Sequence, residues 1–244
     1  MKKKFLNLFK FKFKSFLKWI FQIVGYEVIY FKNFETKIYK IKRNKKIVIE
    51  VGGNFGVETF AFIKKGYDVF CFEPTPELCV VLQKKFSKYK NFYLIQMAVD
   101  VKESFRDFNI SKATDWGVSS LYDFDKKIKD KKKWKNRLDF FFESKIQVPT
   151  IRLDTFMKIY KIKKDISYLW VDAQGNDLNV LKSLGSFISC VKKGKCEATL
   201  KSKLYSKNKN SYKNVNMFLL KKRFKTKIVP DQDSNECDIH FSRN

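Results

Sequence analysis

Histidine is almost missing from this sequence: His240 is the only one in 244 residues. One imidazole leaves little room for histidine-based proton transfer, and its place on an apparent closing strand makes a structural role the plainer reading. The five cysteines (Cys71, Cys79, Cys190, Cys196, Cys237) are odd in number and form no C-x-x-C pair. That speaks against a zinc site and for buried, reduced thiols in a reducing compartment. Acidic residues are outnumbered, 25 against 52 basic ones, and the arginines among the latter are few (Arg43, Arg106, Arg137, Arg152, Arg223, Arg243). A membrane-spanning run is also lacking. The cleanest apolar stretch, 16–31, is shorter than the roughly 20 residues a spanning helix needs and carries Lys18 and Glu27. No small-residue cleavage pattern accompanies it, so a secretory leader is not expected.

What is present supports a folded core. Hydrophobic residues make up 44% of the chain, and the length suits one α/β domain with additions. The formal net charge of +27 favours anionic partners: phospholipid, nucleic acid or an acidic glycan. Abundant Lys, Phe, Ile, Asn and Tyr fit AT-rich codons, yet such codons enrich Glu as well and leave the imbalance unaccounted for. Residues 1–40 interleave Phe, Leu and Trp with Lys, the composition of a helix lying on an anionic membrane surface. A helix docked on the main domain is the alternative. Two parts are therefore expected: a basic, aromatic-rich helical segment over 1–40 and a domain over 41–244. The location implied is cytoplasmic, or peripheral on the inner membrane face.

From Ile47 onward, strand and helix signals alternate. "IVIEV" reads as a strand, "VETFAFIKKG" as a helix, "DVFCFEP" as a second strand stopped by Pro74, and "PELCVVLQKKFSKY" as a second helix. "NFYLIQMAVD" reads as one third strand. A less regular stretch over 101–150, with the charge run "KKIKDKKKWKNR", is read as a variable, substrate-side insertion. "KIQVPTIRL" then leads into a helix with Asp154 as its N-cap. "ISYLWVDAQG" is apolar enough to be central in a sheet, and "NDLNVLKSLGSFI" follows as a helix. A strand through "CVKKGKCEATL", a helix near "NVNMFLLKKRF" and two closing strands complete the chain. Repeated β–α units of this kind imply an α/β, doubly wound, mainly parallel sheet.

The first strand breaks on "GGNFG", residues 52–56, as though a ligand approached the backbone there. Ligands of open parallel sheets sit beyond the carboxyl ends of the strands, and three acids mark those ends: Glu50, Glu73 and Asp172. Glu73 stands where a dinucleotide fold places its ribose-binding acid, which points to an adenosine-type ligand. The turn does not match the G-x-G-x-x-G of a pyrophosphate cradle. Glu50, two residues before Gly52, puts negative charge at the mouth of the loop, which disfavours phosphate and suits a cationic ligand. S-adenosyl-L-methionine, with its sulfonium, ammonium and ribose, meets each requirement; a bare tight turn and a nicotinamide cofactor are the alternatives.

The sequence resembles the FkbM-type methyltransferases at these same segments. "VIEVGGNFGVET" looks like that family's first motif and "VFCFEPTPELCVVL" like its second. "NFYLIQMAVD" resembles its third strand and "GVSSLYDF" its Ser-Ser segment. "VPTIRLDTF" and "ISYLWVDAQGNDLNVLKSL" resemble its paired later motifs, and "KCEAT" with "CDIHF" its last strands. Gln174 and Asp177 stand where the family more often has Glu, Glu50 where Asp is usual, and Gly53 where Ala is. The resemblance implies a class I methyltransferase-like fold, seven-stranded with helices on both faces. It also implies that the loop of Gly52, Gly53, Asn54, Phe55 and Gly56, with Glu50 below it, cradles the methionine part of the cofactor. Glu73 is then expected to hold the ribose, and Gln96, Met97 and Ala98 to lie beside the adenine. Asp172 is expected to face the cofactor's amino group or the acceptor, the alternative being a helix N-cap.

Methyl transfer is an in-line displacement, and a hydroxyl acceptor must give its proton to a base. Asp172 is the first candidate and Asp115, beside Trp116 and Gly117, the second; His240 stands behind both. Asp172, Asn176 and Asp177 offer some oxygen ligands, but no metal is expected. The family acts commonly on hydroxyls, so the expected acceptor is a sugar hydroxyl in a glycan or glycolipid. The charge keeps a ribose 2′-O RNA methyltransferase open, although the N-P-P-[YF] motif of amino methylation is missing. A non-catalytic membrane-surface protein on a degenerate fold is the third reading, which the intact 50–56 segment and Glu73 argue against.

Overall fold

A computed structural model of the chain describes residues 46–111, 116–125, 141–162, 165–201, 203–207, 209–231 and 235–243; the 1–40 segment and Asp115 lie outside them. Strand β1 (Ile47–Val51) is buried at every position and leads through the glycine loop into helix α1 (Val57–Lys64). Strand β2 (Asp68–Phe72) is equally buried. Helix α2 (Pro76–Phe86) follows, entered through Thr75 and a proline in its first turn, where the missing N–H costs nothing. Strand β3 (Phe92–Ile95) ends sooner than the sequence suggests. The Met97 N–H turns back to the Ile95 carbonyl at 2.9 Å, and the chain resumes as β4 (Ala98–Val99) in a different sheet.

Strands β5 (Phe105–Ile110) and β6 (Ser144–Ile151) join β4 in a three-stranded sheet, in the order β4-β6-β5. The stretch read as irregular thus has its own scaffold around Phe108, Ile110, Leu121 and Val148. Short exposed runs at one end of β5 and β6 hid its alternation from a periodicity reading. Helix α3 (Leu153–Ile159) starts at Arg152, not at an Asp154 cap. The Asp154 carboxylate is taken by the Arg152 guanidinium at 2.6–2.8 Å, and the Leu153 N–H is satisfied by Ser183 Oγ at 3.2 Å. Strand β7 (Ile166–Val171), helix α4 (Asp177–Ser183), a 3-10 turn (Gly185–Cys190) and strand β8 (Lys193–Thr199) come next. Helix α5 (Tyr212–Lys221), strand β9 (Lys225–Pro230) and strand β10 (Glu236–Ser242) close the domain.

The main sheet has seven strands in the order β3-β2-β1-β7-β8-β10-β9. β10 runs antiparallel to both its neighbours, and the pairs from β3 through β8 are parallel. Alternate residues of a strand point to opposite faces, and helices cover both. On one side Thr59 and Phe62 of α1 meet Glu50, Tyr168 and Trp170. On the other, Phe156 of α3 packs edge-on against Phe70 and Phe72. This is the architecture of the class I methyltransferases. No helix among the described residues is long and apolar enough to cross a membrane.

Candidate active site

The carboxyl ends of β1, β2 and β7 are in register, Val51 facing Phe72 on one side and Val171 on the other. The loops beyond them therefore converge on one crevice that is open to solvent. The β1 loop gives it Gly52 and Asn54, the β2 end Glu73 and Thr75, and the bend after β3 Met97 and Ala98. Trp116, Gly117 and Ser119 close it from the segment packed on the small sheet, and Asp172, Gln174 and Asn176 from the loop after β7.

The glycines of the loop answer first to the protein's own packing. Gly52 has φ +90°, and a Cβ there would lie 2.0 Å from the Asp172 carbonyl oxygen. Gly56 caps α1 at φ +77°, where a Cβ would stand 2.4 Å from the Phe86 ring. The close approach inferred from the sequence is thus made by neighbouring chain. Gly53, Phe55, Gly56 and Gln96 do not form the crevice wall, although the Phe55 ring stands edge-on to Trp116 at 6.4 Å. Glu50 does not form it either. Its side chain turns to α1, where the Thr59 hydroxyl donates to Oε2 at 2.7 Å, and burial pushes its carboxyl up to about 8. Protonated at neutral pH, it adds no charge to the mouth of the loop, contrary to the sequence expectation.

Glu73 does line the crevice, with only 4% of its surface exposed. Its Oε2 accepts the Asn54 N–H at 2.9 Å and its Oε1 the Thr75 N–H at 2.8 Å. The Thr75 side chain bonds it as well, and a carboxylate with about four acceptor sites keeps room for a further donor. Burial pushes this carboxyl up, those hydrogen bonds pull it down, and the charge of Asp172 adds an upward push. Asn54 sits in the left-handed region at φ +45°, and its Oδ1 is buried without a partner among the described residues. The charged side chains on the described wall are Glu73 and Asp172, both acids. An acceptor in need of a donor and a wall of one negative sign suit a cationic ligand with hydroxyl and ammonium donors, and oppose a phosphate.

Asp172 is exposed at the rim, its N–H held by the Val51 carbonyl at 2.9 Å. Gln174 Nε2 donates to its Oδ1 at 2.6 Å. Gln174 is itself fixed: its carbonyl accepts the Ser120 hydroxyl at 2.7 Å, and its Oε1 lies 2.7 Å from the hydroxyl of fully buried Tyr205. Asn176 is the cap residue of α4, so Asp172 is not. The Asn176 amide donates to the Val99 carbonyl at 2.9 Å and accepts from Tyr122 and Asn179, both at 2.9 Å. Asp177 is fully buried and accepts the Glu197 N–H at 2.9 Å; burial, then the charge of Asp172, pushes its carboxyl up. Both side chains serve the scaffold. His240 pairs with Lys195 and Lys227 on β10, away from the crevice wall. Tyr205 and Thr75 were missed from the sequence. No pattern marks Tyr205 in its Lys- and Ser-rich surroundings, whereas Thr75 could have been found as the residue before Pro76 at a helix start.

Among curated proteins no match to the chain is found. Among solved structures, an rRNA methylase from Streptococcus thermophilus is similar at 9% identity and a TM-score of 0.41, over 88% of this chain and 99% of that one. Fibrillarin from Aeropyrum pernix with S-adenosyl-L-methionine gives 10% and 0.45, over 82% and 67%. TrmK from M. capricolum with S-adenosyl-homocysteine gives 9% and 0.40, over 88% and 69%. At such identities these carry nothing about substrate. The assignment comes from the sequence family described as the methyltransferase FkbM domain, which matches residues 50–226. Spanning most of the chain and every strand end that builds the crevice, that match makes this protein a member of the FkbM methyltransferase family, whose methyl donor is S-adenosyl-L-methionine.

Proposed function

We propose that the crevice holds S-adenosyl-L-methionine and that the enzyme methylates a sugar hydroxyl in a glycan or glycolipid. The observation that carries the reading is the rim carboxylate of Asp172, oriented by Gln174 above a wall whose charged groups are acids. The cofactor, once bound, supplies an electrophilic methyl carbon on a sulfonium. Glu73 would accept from the ribose through the acceptor capacity that its bonds to Asn54 and Thr75 leave. Asn54 Oδ1, buried without a partner among the described residues, would accept from the ammonium. Met97 and Ala98 would flank the adenine, while Gly52 keeps the loop against Asp172.

Asp172 would take the proton of the acceptor hydroxyl at its carboxylate as that oxygen receives the methyl group, which the cofactor would supply when bound. Ser119 and the Trp116 ring border the same space and would hold the sugar against the methyl group, with the 101–150 segment as the acceptor side. The 1–40 segment is assigned to an anionic membrane surface on the cytoplasmic side, which would bring a lipid-linked acceptor to the crevice. Radiolabelled S-adenosyl-L-methionine offered to extracted glycolipid and to total RNA tests the reading. Label in glycolipid that is lost in Asp172→Asn supports it, and label confined to RNA overturns it.

A further inference from the structure

Residues 198–230 hold no Asp or Glu, against Lys201, Lys203, Lys207, Lys209, Lys213, Lys221, Lys222, Arg223, Lys225 and Lys227. The fold gathers the second half of this run on one edge of the domain. Helix α5 turns Val215 and Leu219 inward and leaves Met217 59% and Leu220 53% exposed. The adjoining strand β9, the last in the sheet, leaves Ile228 36% and Val229 41% exposed. Thr226 bonds Asn216 of α5 at 2.8 Å, so alternation along β9 puts Ile228 on the α5 face and Val229 with Lys225 and Lys227 on the other. Lys213, Lys221, Lys222 and Arg223 are exposed on or beside α5. Between α5 and α4 runs a shallow groove with Met217 and Phe218 on its floor and Lys182, Lys209 and Lys221 on its rims.

Single exposed apolar residues are ordinary, and lysines on an edge strand deter sheet-to-sheet pairing. Neither point explains aliphatic exposure on both α5 and β9 beside the lysine-rich run, the acids next to it being Asp231 after β9 and Asp238 on the far face of the sheet edge. A second copy of the chain would set cations against cations, so self-association does not fit. RNA would answer the charge but would call for exposed rings to stack its bases. The strongly exposed side chains here are aliphatic, and the Phe218 ring lies near Lys222 Nζ, 5.9 Å away. Apolar groups that enter the acyl boundary while lysines meet acidic headgroups are the requirements of a bilayer surface.

We propose that α5 and β9 form a docking surface for an anionic lipid bilayer, built from residues outside the crevice wall. It stands independently of the acceptor assignment, because it uses no crevice residue. The test is co-sedimentation of the full chain with phosphatidylcholine vesicles, with and without phosphatidylglycerol, across a salt series. The unaltered protein should bind only the anionic vesicles and be released as salt rises to about 0.5 M. Met217→Ser with Leu220→Ser should weaken binding about fivefold or more, and Lys213→Glu with Lys221→Glu and Lys222→Glu about tenfold or more. Melting temperature and S-adenosylhomocysteine affinity should be unchanged in both. If either variant melts early, Ile228→Ser reads the same surface from the other element. Vesicle binding equal to the parent's in these variants overturns the proposal. So does a charge-reversal loss seen with single-stranded RNA, with no effect of the apolar pair on vesicles.

Discussion

Gln174 donates its amide N–H to the Asp172 carboxylate at 2.6 Å, while the Tyr205 hydroxyl lies 2.7 Å from the amide oxygen. An ionised carboxylate only accepts, so the amide nitrogen faces Asp172 and the amide oxygen faces Tyr205, whose single hydroxyl proton it shares with the Val118 carbonyl at 2.9 Å. The FkbM resemblance places Glu more often at this position. A carboxyl pair so close shares a proton, because two like charges at hydrogen-bond distance cannot both form easily. The neutral amide leaves Asp172 as an acceptor able to take a proton.

Gln174→Glu is therefore expected to raise the apparent pKa of the base. Turnover at pH 7 should fall and recover as the pH is raised, with cofactor affinity changed by less than about threefold. A pH–rate profile at saturating methyl donor measures this. A profile superimposable on the parent's would show that Asp172 is not the base.

Glu73→Ala should weaken S-adenosylhomocysteine binding by about 1.5–3 kcal/mol, the cost of a charge-assisted hydrogen bond to a buried partner. Isothermal titration calorimetry reads that loss directly. The variant also leaves the Asn54 and Thr75 N–H groups without their acceptor, so its melting temperature should drop. Unchanged affinity would remove Glu73 from the site.

Glu50 predicts a pH dependence of stability. Its ordinary value is 4.5 and burial lifts it to about 8 in the folded chain. Between those values the folded state holds a proton that the unfolded state has lost, so stability declines as pH rises through that window. Glu50→Gln keeps an acceptor for Thr59 and removes the ionisation. Its melting temperature should fall less between about pH 5.5 and about pH 8 than the parent's. Glu73 and Asp177, also pushed up, retain part of the slope in the variant. Equal slopes in the two proteins would count against a buried, protonated Glu50.

The glycines separate strain from collision. Gly66 has φ +76° with nothing within 4 Å of a Cβ, so Gly66→Ala should cost about 1–2 kcal/mol of backbone strain alone. Gly52 adds a collision with the Asp172 carbonyl, and Gly52→Ala should cost more than about 3 kcal/mol or prevent folding. Urea unfolding of the pair checks the difference.

The sequence revealed the main sheet well because β1, β2 and β7 are buried on both faces and so read as unbroken apolar runs between glycine and proline stops. It concealed the small sheet, since β5 and β6 are half exposed and the break between β3 and β4 is a single reversed turn inside one apolar run. Glu73 and Asp172 were legible as strand-end acids. Glu50 has the same chemistry, yet the alternation of the strand aims it at α1 instead of the crevice. Tyr205 reaches Gln174 across 31 residues of sequence, and no local pattern encodes a contact of that kind.

A crystal structure of the chain grown with S-adenosylhomocysteine tests the central claim most directly. The account predicts density for adenosine between Glu73 and Met97, with the ribose hydroxyls on the Glu73 carboxylate and the amino group within hydrogen-bond distance of Asn54 Oδ1. Ligand density elsewhere on the domain, or a crevice that stays without it at saturating ligand, would contradict it.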